Sequence, residues 1–102
     1  MDLVIKTLIV DEHRLQHIAR HRVIIEEVQE IVAGDYVFVQ GHHERWLLIG
    51  KTSKGRFLTL VVGERAQSKV CGLVTARPGS REERNLYREL ALEQGSENDD
   101  ED

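Results

Sequence analysis

The chain reads as one α+β domain: a strand, two helices, a four-stranded antiparallel meander and a C-terminal helix. Three observations predict this. Apolar, β-branched-rich runs of strand length recur from residue 36 to residue 77, separated by breaks of a few polar residues, as hairpins require. Helix start and stop signals flank residues 12–33 and open again at Ser80. The length of 102 residues suffices for one modest hydrophobic core and no more.

Taken in order, Leu3–Val10 is rich in β-branched residues and predicts a strand. Asp11 is placed to cap a helix over residues 12–22, with Glu12 in the first turn where the helix dipole favours an acid. Ile24–Ala33 predicts a second helix, stopped by Gly34. Tyr36–Gln40, Arg45–Lys51, Arg56–Arg65 and Lys69–Arg77 are the four strands of the meander. Pro78-Gly79 ends the sheet, and Ser80-Arg81-Glu82-Glu83 carries the S-x-x-E capping-box pattern that opens a helix to about Gln94. The strands at 46–49 and 57–62 are almost continuously apolar, so they want cover on both faces. Three short helices leave room for a second polypeptide to supply part of it.

Composition is that of an ordinary globular protein, 40% hydrophobic and 31% charged. The single Cys71 excludes an internal disulfide framework, reads as a small core residue, and points to a reducing compartment, the cytoplasm. The first ten residues lack the pattern of a secretory signal, and no apolar run approaches the ~18 residues of a membrane span. The net charge of -4 conceals a split: seven of the 18 acids lie from Glu89 onward with no base among them, leaving 14 bases against 11 acids in residues 1–88. The predicted organisation is a mildly basic folded domain, 1–94, and a disordered acidic tail, 95–102. A balance of +3 is compatible with a polyanionic partner and does not by itself identify one.

On a helical wheel for 12–22, Leu15, Ile18 and Ala19 mark the inward side, His13, His17 and Arg20 point away, and His21 lies at the boundary. There His21 reads either as an acid–base group or as a partly exposed histidine bonded to a carbonyl. The i, i+4, i+8 histidines drift about 80° around the helix and match no metal signature, so neither metal nor cofactor is expected. His42-His43 reads as exposed turn. Arg77 ends a strand, where functional groups are common. Arg45 and Arg56 begin strands, and Arg81, Arg84 and Arg88 form a stripe beside the apolar face of Leu86, Tyr87, Leu90 and Ala91. Guanidinium forks match phosphate geometry, but such a stripe is more often a solvated helix face. Glu83 has two available roles, in the capping box and beside a catalytic arginine. Tyr87 and Trp46 read as core aromatics. No hydrolase elbow, P-loop or dinucleotide loop is present.

In order, several segments resemble the BrnT toxin family. The W-D-E-x-K-type helix start is Val10-Asp11-Glu12-His13-Arg14, the K-H-G-V segment is Arg20-His21-Arg22-Val23, and the F-E-E-A-like start is Ile25-Glu26-Glu27-Val28. R-x-x-x-I-G-x-T-x-x-G-R-x-L is met by Arg45, Ile49-Gly50, Thr52, Gly55-Arg56 and Leu58. I-S-A-R-x-A-x-x-x-E-R-x-x-Y is met by Val74-Thr75-Ala76-Arg77, Glu83-Arg84 and Tyr87. The resemblance spans about residues 8–88. The departures are Val10 for Trp, His17 for Asn, Arg20 for Lys and Arg22 for Gly.

The resemblance implies a fold similar to RelE-type ribonuclease toxins, metal-free RNA cleavage and neutralisation by a cognate antitoxin. It also implies operator DNA binding indirectly, through the antitoxin. Under it, Arg77 and Arg56 would stabilise charge on the phosphate, and His21, or alternatively Glu83, would transfer protons. Arg20, Arg45, Arg84 and Tyr87 would hold RNA. Three other readings stand beside it. One is an inactive relative that serves as a binding module in antitoxin and operator complexes. Another is a nucleic-acid binder using the Arg81, Arg84 and Arg88 stripe. The last is a histidine metal protein.

Overall fold

The structure is a computed structural model describing residues 3–94. The acidic tail expected at 95–102 lies outside the described residues. The element order is β1 (Thr7–Ile9), α1 (Glu12–Ala19), α2 (Ile25–Ala33), β2 (Tyr36–Gln40), β3 (Arg45–Lys51), β4 (Phe57–Glu64), β5 (Val70–Pro78) and α3 (Arg81–Gln94). The fold is α+β, with the predicted elements in the predicted order. The strands form one sheet, β1-β5-β4-β3-β2, in which β2 to β5 are an antiparallel meander and β1 runs parallel to β5. β1 is much shorter than the strand expected over Leu3–Val10, because only three residues find partners on β5.

Side chains alternate across the sheet, so each face has its own residues. One face carries Leu48, Leu58, Leu60, Val62, Cys71, Leu73 and Ala76 and packs against Ile18, Val23, Val28 and Ile31 from the α1–α2 layer. All are buried, and this is the main core. Cys71 sits in it as expected, and burial, then the charge of Glu64, pushes its thiol up and away from reactivity. The α2–β3 contact is close because position 50 has no side chain: a Cβ there would meet the Ile31 methyls at 3.0 Å.

The other face holds Val37, Ile49, Thr59 and Arg77 in one row across four strands. α3 lies on this face, but none of its residues is fully buried. Tyr87 meets the Phe57 ring edge-on at 5.3 Å. At its far end, the Gln94 side chain accepts from the Phe38 N–H (2.9 Å) and donates to the Phe38 carbonyl (3.0 Å). Farther along the same face, Val39, Leu47 and Val61 remain only half buried.

α1 departs from the wheel. Ile18 is buried, but Leu15 is 39% exposed and Ala19 is exposed as well. Arg14 turns inward, and its Nη1 donates to the Val74 carbonyl (3.1 Å), a partner no wheel can anticipate. Nor does the Asp11 side chain cap the helix; its carboxylate faces Arg65 at 3.7 Å instead. The expected helix over 12–22 ends as α-helix at Ala19 and closes through a Schellman turn. Val23 N–H donates to the Ile18 carbonyl (3.1 Å) and Arg22 N–H to the Ala19 carbonyl (2.9 Å). The left-handed residue of that turn is Arg22, at φ 61. The β2–β3 connection is also left-handed at two successive residues, His43 (φ 59) and Glu44 (φ 61), giving a type I′ turn.

The left-handed region disfavours a residue with a Cβ by about 1–2 kcal/mol, of which glycine's extra unfolded freedom returns about 0.4–1. Arg22→Gly is therefore expected to stabilise the fold by roughly 0.5–1 kcal/mol, raising the thermal midpoint by a few degrees in a calorimetric scan. A lower midpoint would mean that the Arg22 side chain makes contacts worth more than the strain.

Candidate functional site

The face under α3 places its functional groups by strand parity. Ile49, Thr59 and Arg77 are aligned neighbours, so the side chains of Thr59 and Arg77 rise on the same side as the start of α3. The capping box expected at Ser80 forms. Glu83 N–H donates to Ser80 Oγ (3.1 Å), and Ser80 N–H donates to Glu83 Oε1 (2.9 Å). This turns the Glu83 carboxylate back toward the sheet. There it accepts two parallel bonds from Arg77, Nη1 to Oε1 and Nη2 to Oε2, both 2.8 Å. The Thr59 hydroxyl, fully buried, donates to Oε1 at 2.8 Å.

Glu83 is thus saturated. Burial pushes its carboxyl up, but the bonds from Arg77, Ser80 and Thr59 outweigh burial and bring it down to about 2. Such a carboxylate is a feeble proton acceptor at neutral pH, which disfavours an acid–base role and assigns Glu83 to holding Arg77. The same bond raises the Arg77 pKa, against a smaller opposing effect of burial. Its side chain is 36% exposed, so the residue is braced by Glu83 and keeps part of its surface in solvent.

Three residues not singled out in the sequence join this cluster: Thr59, Phe57 and Lys51. Lys51 Nζ and the Arg88 guanidinium each lie over the Phe57 ring, at 5.6 and 5.9 Å. The signal was available in strand parity, since Lys51 pairs with Phe57 and both lie on the face of Thr59 and Arg77. It required the register of the β3–β4 hairpin. Tyr87 joins through Phe57, and Arg84 Nη1 donates to the Gly79 carbonyl (3.0 Å), closing the turn before α3.

The other expected site residues lie elsewhere. Arg56 points to the opposite face. Its Nη1 donates to the Arg22 carbonyl (2.7 Å) and to both oxygens of Glu27 (2.9 and 3.0 Å). It therefore braces the α1–α2 turn. Arg20 and His21 belong to that same turn and are exposed; the His17 and His21 rings meet edge-on at 5.5 Å. The two groups meet at residues 56 and 57, whose successive side chains serve opposite faces. Arg45 stands apart: it is opposite Gly63, four residues along β4 from Thr59, or about 13 Å at strand rise. No three His, Cys, Asp or Glu side chains converge in a metal-ligating group among the described residues. No helix is long and apolar enough to cross a membrane, again among the described residues.

No family model matches the chain, and no curated protein matches it. Among solved structures, it is similar to the Brucella abortus ribonuclease toxin BrnT, with a TM-score of 0.59 and 17% identity, over 74% of this chain and 97% of that one. At this identity the likeness is one of fold.

Glu83 provides a pH test of the site. Its folded pKa lies below its ordinary value of 4.5, so its contribution to stability is complete above about 4.5 and fades as pH falls toward about 2. A shift of this size corresponds to about 3 kcal/mol. Glu83→Gln is expected to lose roughly 2–3 kcal/mol in urea unfolding at pH 7 and to flatten that acid limb. An unchanged acid limb in the variant would place the titrating group elsewhere.

Proposed function

We propose that the chain is a ribonuclease toxin, cleaving RNA without a metal and held in check by a cognate antitoxin. The observation that supports the reading is the braced Arg77: a guanidinium fixed by a bidentate carboxylate, on a partly exposed side chain, in a fold similar to that of a ribonuclease toxin. Cleavage by the ribose 2′-hydroxyl needs a group to take its proton, one to protonate the leaving 5′ oxygen, and cations for the charge on phosphorus. Preorganised donors contribute most when they need not move as charge develops, and Arg77 is held in that state by Glu83. Arg56, one residue from Phe57, is a second cation at the same end of the sheet. Lys51, Arg84 and Arg88 extend the basic surface along which phosphates would lie, with Phe57 and Tyr87 as aromatic neighbours. His21 remains the candidate for proton transfer, but it sits in the α1–α2 turn across the sheet from Arg77, so this reading requires the RNA to pass round the sheet end where Arg56 and Phe57 adjoin. Arg20 would bind phosphate in the same turn. Under this reading the half-covered part of the α3 face is available to the antitoxin, and contact with operator DNA would come through that partner.

One observation favours a second reading, an inactive binding module in antitoxin and operator complexes. Glu83 and Arg77 are committed to each other and Arg56 to Glu27, so three of the four expected catalytic groups are paired internally.

The two readings separate on induction of the chain alone in bacteria. The toxin is expected to arrest growth, and Arg77→Ala to relieve the arrest while the protein stays folded by circular dichroism. With purified protein and RNA in EDTA, cleavage is expected to fall at least ~10²-fold in Arg77→Ala. Arg77→Lys, which keeps the charge but loses the fork, is expected to retain only part of the activity. Normal growth with soluble, folded wild-type chain would favour the binding module. If His21 transfers the proton, the wild-type pH–rate profile contains a limb that His21→Ala removes; an identical profile in the variant would exclude it.

A further inference from the structure

The end of the sheet remote from Arg77 carries a second group of arginines. A cleft of about 210 Å³ is lined by the start of α1, the β2–β3 turn, and the adjoining ends of β4 and β5. Three arginines line it: Arg14, Arg45 and Arg65. They come from three different elements, so no sequence run announces them.

Each is placed by a distinct device. Arg14 is half buried and tethered to the Val74 carbonyl through Nη1, while its Nε is buried with no partner among the described residues. Arg65 lies across Gly72, with its guanidinium where a Cβ at that position would be. Gly72 pairs directly with Gly63, and the Arg45 stem runs past the bare side of Gly63. Two glycines abreast on neighbouring strands thus form a floor on which two arginine side chains can lie. The carboxylates of the same wall are Asp11, Glu44 and Glu64. Asp11 approaches Arg65 only to 3.7 Å, with both side chains nearly half exposed, a separation that leaves the guanidinium largely unengaged. Glu64 accepts from Trp46 Nε1 at 3.1 Å. Arg14 and Arg45 have no salt-bridge partner among the described residues.

We infer that this cleft binds a phosphate group presented by a nucleotide or by RNA. Guanidinium forks from several directions match phosphate oxygens, and a volume below the ~300 Å³ of ordinary ligand pockets suits a phosphate with part of its nucleoside. The neighbouring carboxylates could accept from base amino groups, which gives a nucleotide an advantage over the bare ion. The inference goes beyond the proposed ribonuclease: it holds whether or not the Arg77 site cleaves RNA, and its test does not use cleavage.

The test is an amide NMR titration of the full chain. The probes are inorganic phosphate, adenosine 5′-monophosphate, and a tetraribonucleotide without a terminal phosphate, each against sodium chloride of equal ionic strength. Saturable shifts are expected at Gly63, Arg65 and Gly72, with at least ~10-fold weaker binding in the Arg45→Gln/Arg65→Gln double variant. Both side chains are substantially exposed, and the rest of the variant's spectrum reports whether it is folded. Tightest binding of the monophosphate would identify a nucleotide monoester site; tightest binding of the tetranucleotide would identify an RNA diester site. Absence of saturable shifts, equal shifts with chloride, or unchanged affinity in the folded double variant would overturn the inference.

Discussion

The bidentate pair between Arg77 and Glu83 joins three elements at one point. It connects the end of β5 to the first turn of α3, and through Thr59 it also reaches β4. α3 benefits from such a connection, since none of its residues is fully buried; the Phe57–Tyr87 and Arg88–Phe57 contacts and the Gln94 bonds add to its hold on the sheet. A part-buried ion pair is weak evidence for net stability, because desolvating the charges offsets much of their attraction. What it does supply is geometry. The capping box sets the carboxylate, and the carboxylate sets the guanidinium.

Much of the fold was legible because it rests on local signals. The meander shows as apolar runs between short turns, and the α3 start shows as Ser80 and Glu83 three residues apart, both of which the structure bears out. What was not legible depended on pairing between distant residues. The inward face of α1 includes Arg14, whose partner is a carbonyl on β5, so the apolar wheel pointed to Leu15 and Ala19 wrongly. For the site, Arg77, Glu83, Arg84 and Tyr87 were read together and do lie in one region. Lys51, Phe57 and Thr59 were not read, because their side of the sheet follows from a hairpin register that composition does not reveal. Arg56 and Arg45 looked equivalent as strand starts, yet one braces a helix turn while the other belongs to the opposite end of the sheet.

The tight turns show a related economy. Arg22, His43, Glu44 and Lys69 all hold left-handed backbone that glycine or asparagine would adopt more easily. In the case of Arg22 the strained carbonyl is also the acceptor for Arg56, so the turn that resembles a family glycine position is held from outside by a cross-layer bond. Backbone strain of this kind persists where surrounding contacts over-determine the conformation.

The Gln94 amide has a consequence for how copies of this chain meet. β2 is the outer strand of the sheet, and its Phe38 peptide would otherwise offer a donor and an acceptor side by side to any passing strand. Gln94 presents the complementary pair, so a side chain stands in for one residue of a sixth strand. At the opposite border, β1 offers only three residues of ladder. Edge-to-edge stacking into ribbons is thereby discouraged at both borders, by occupation at one and by brevity at the other, in a protein whose runs at 46–49 and 57–62 are almost continuously apolar.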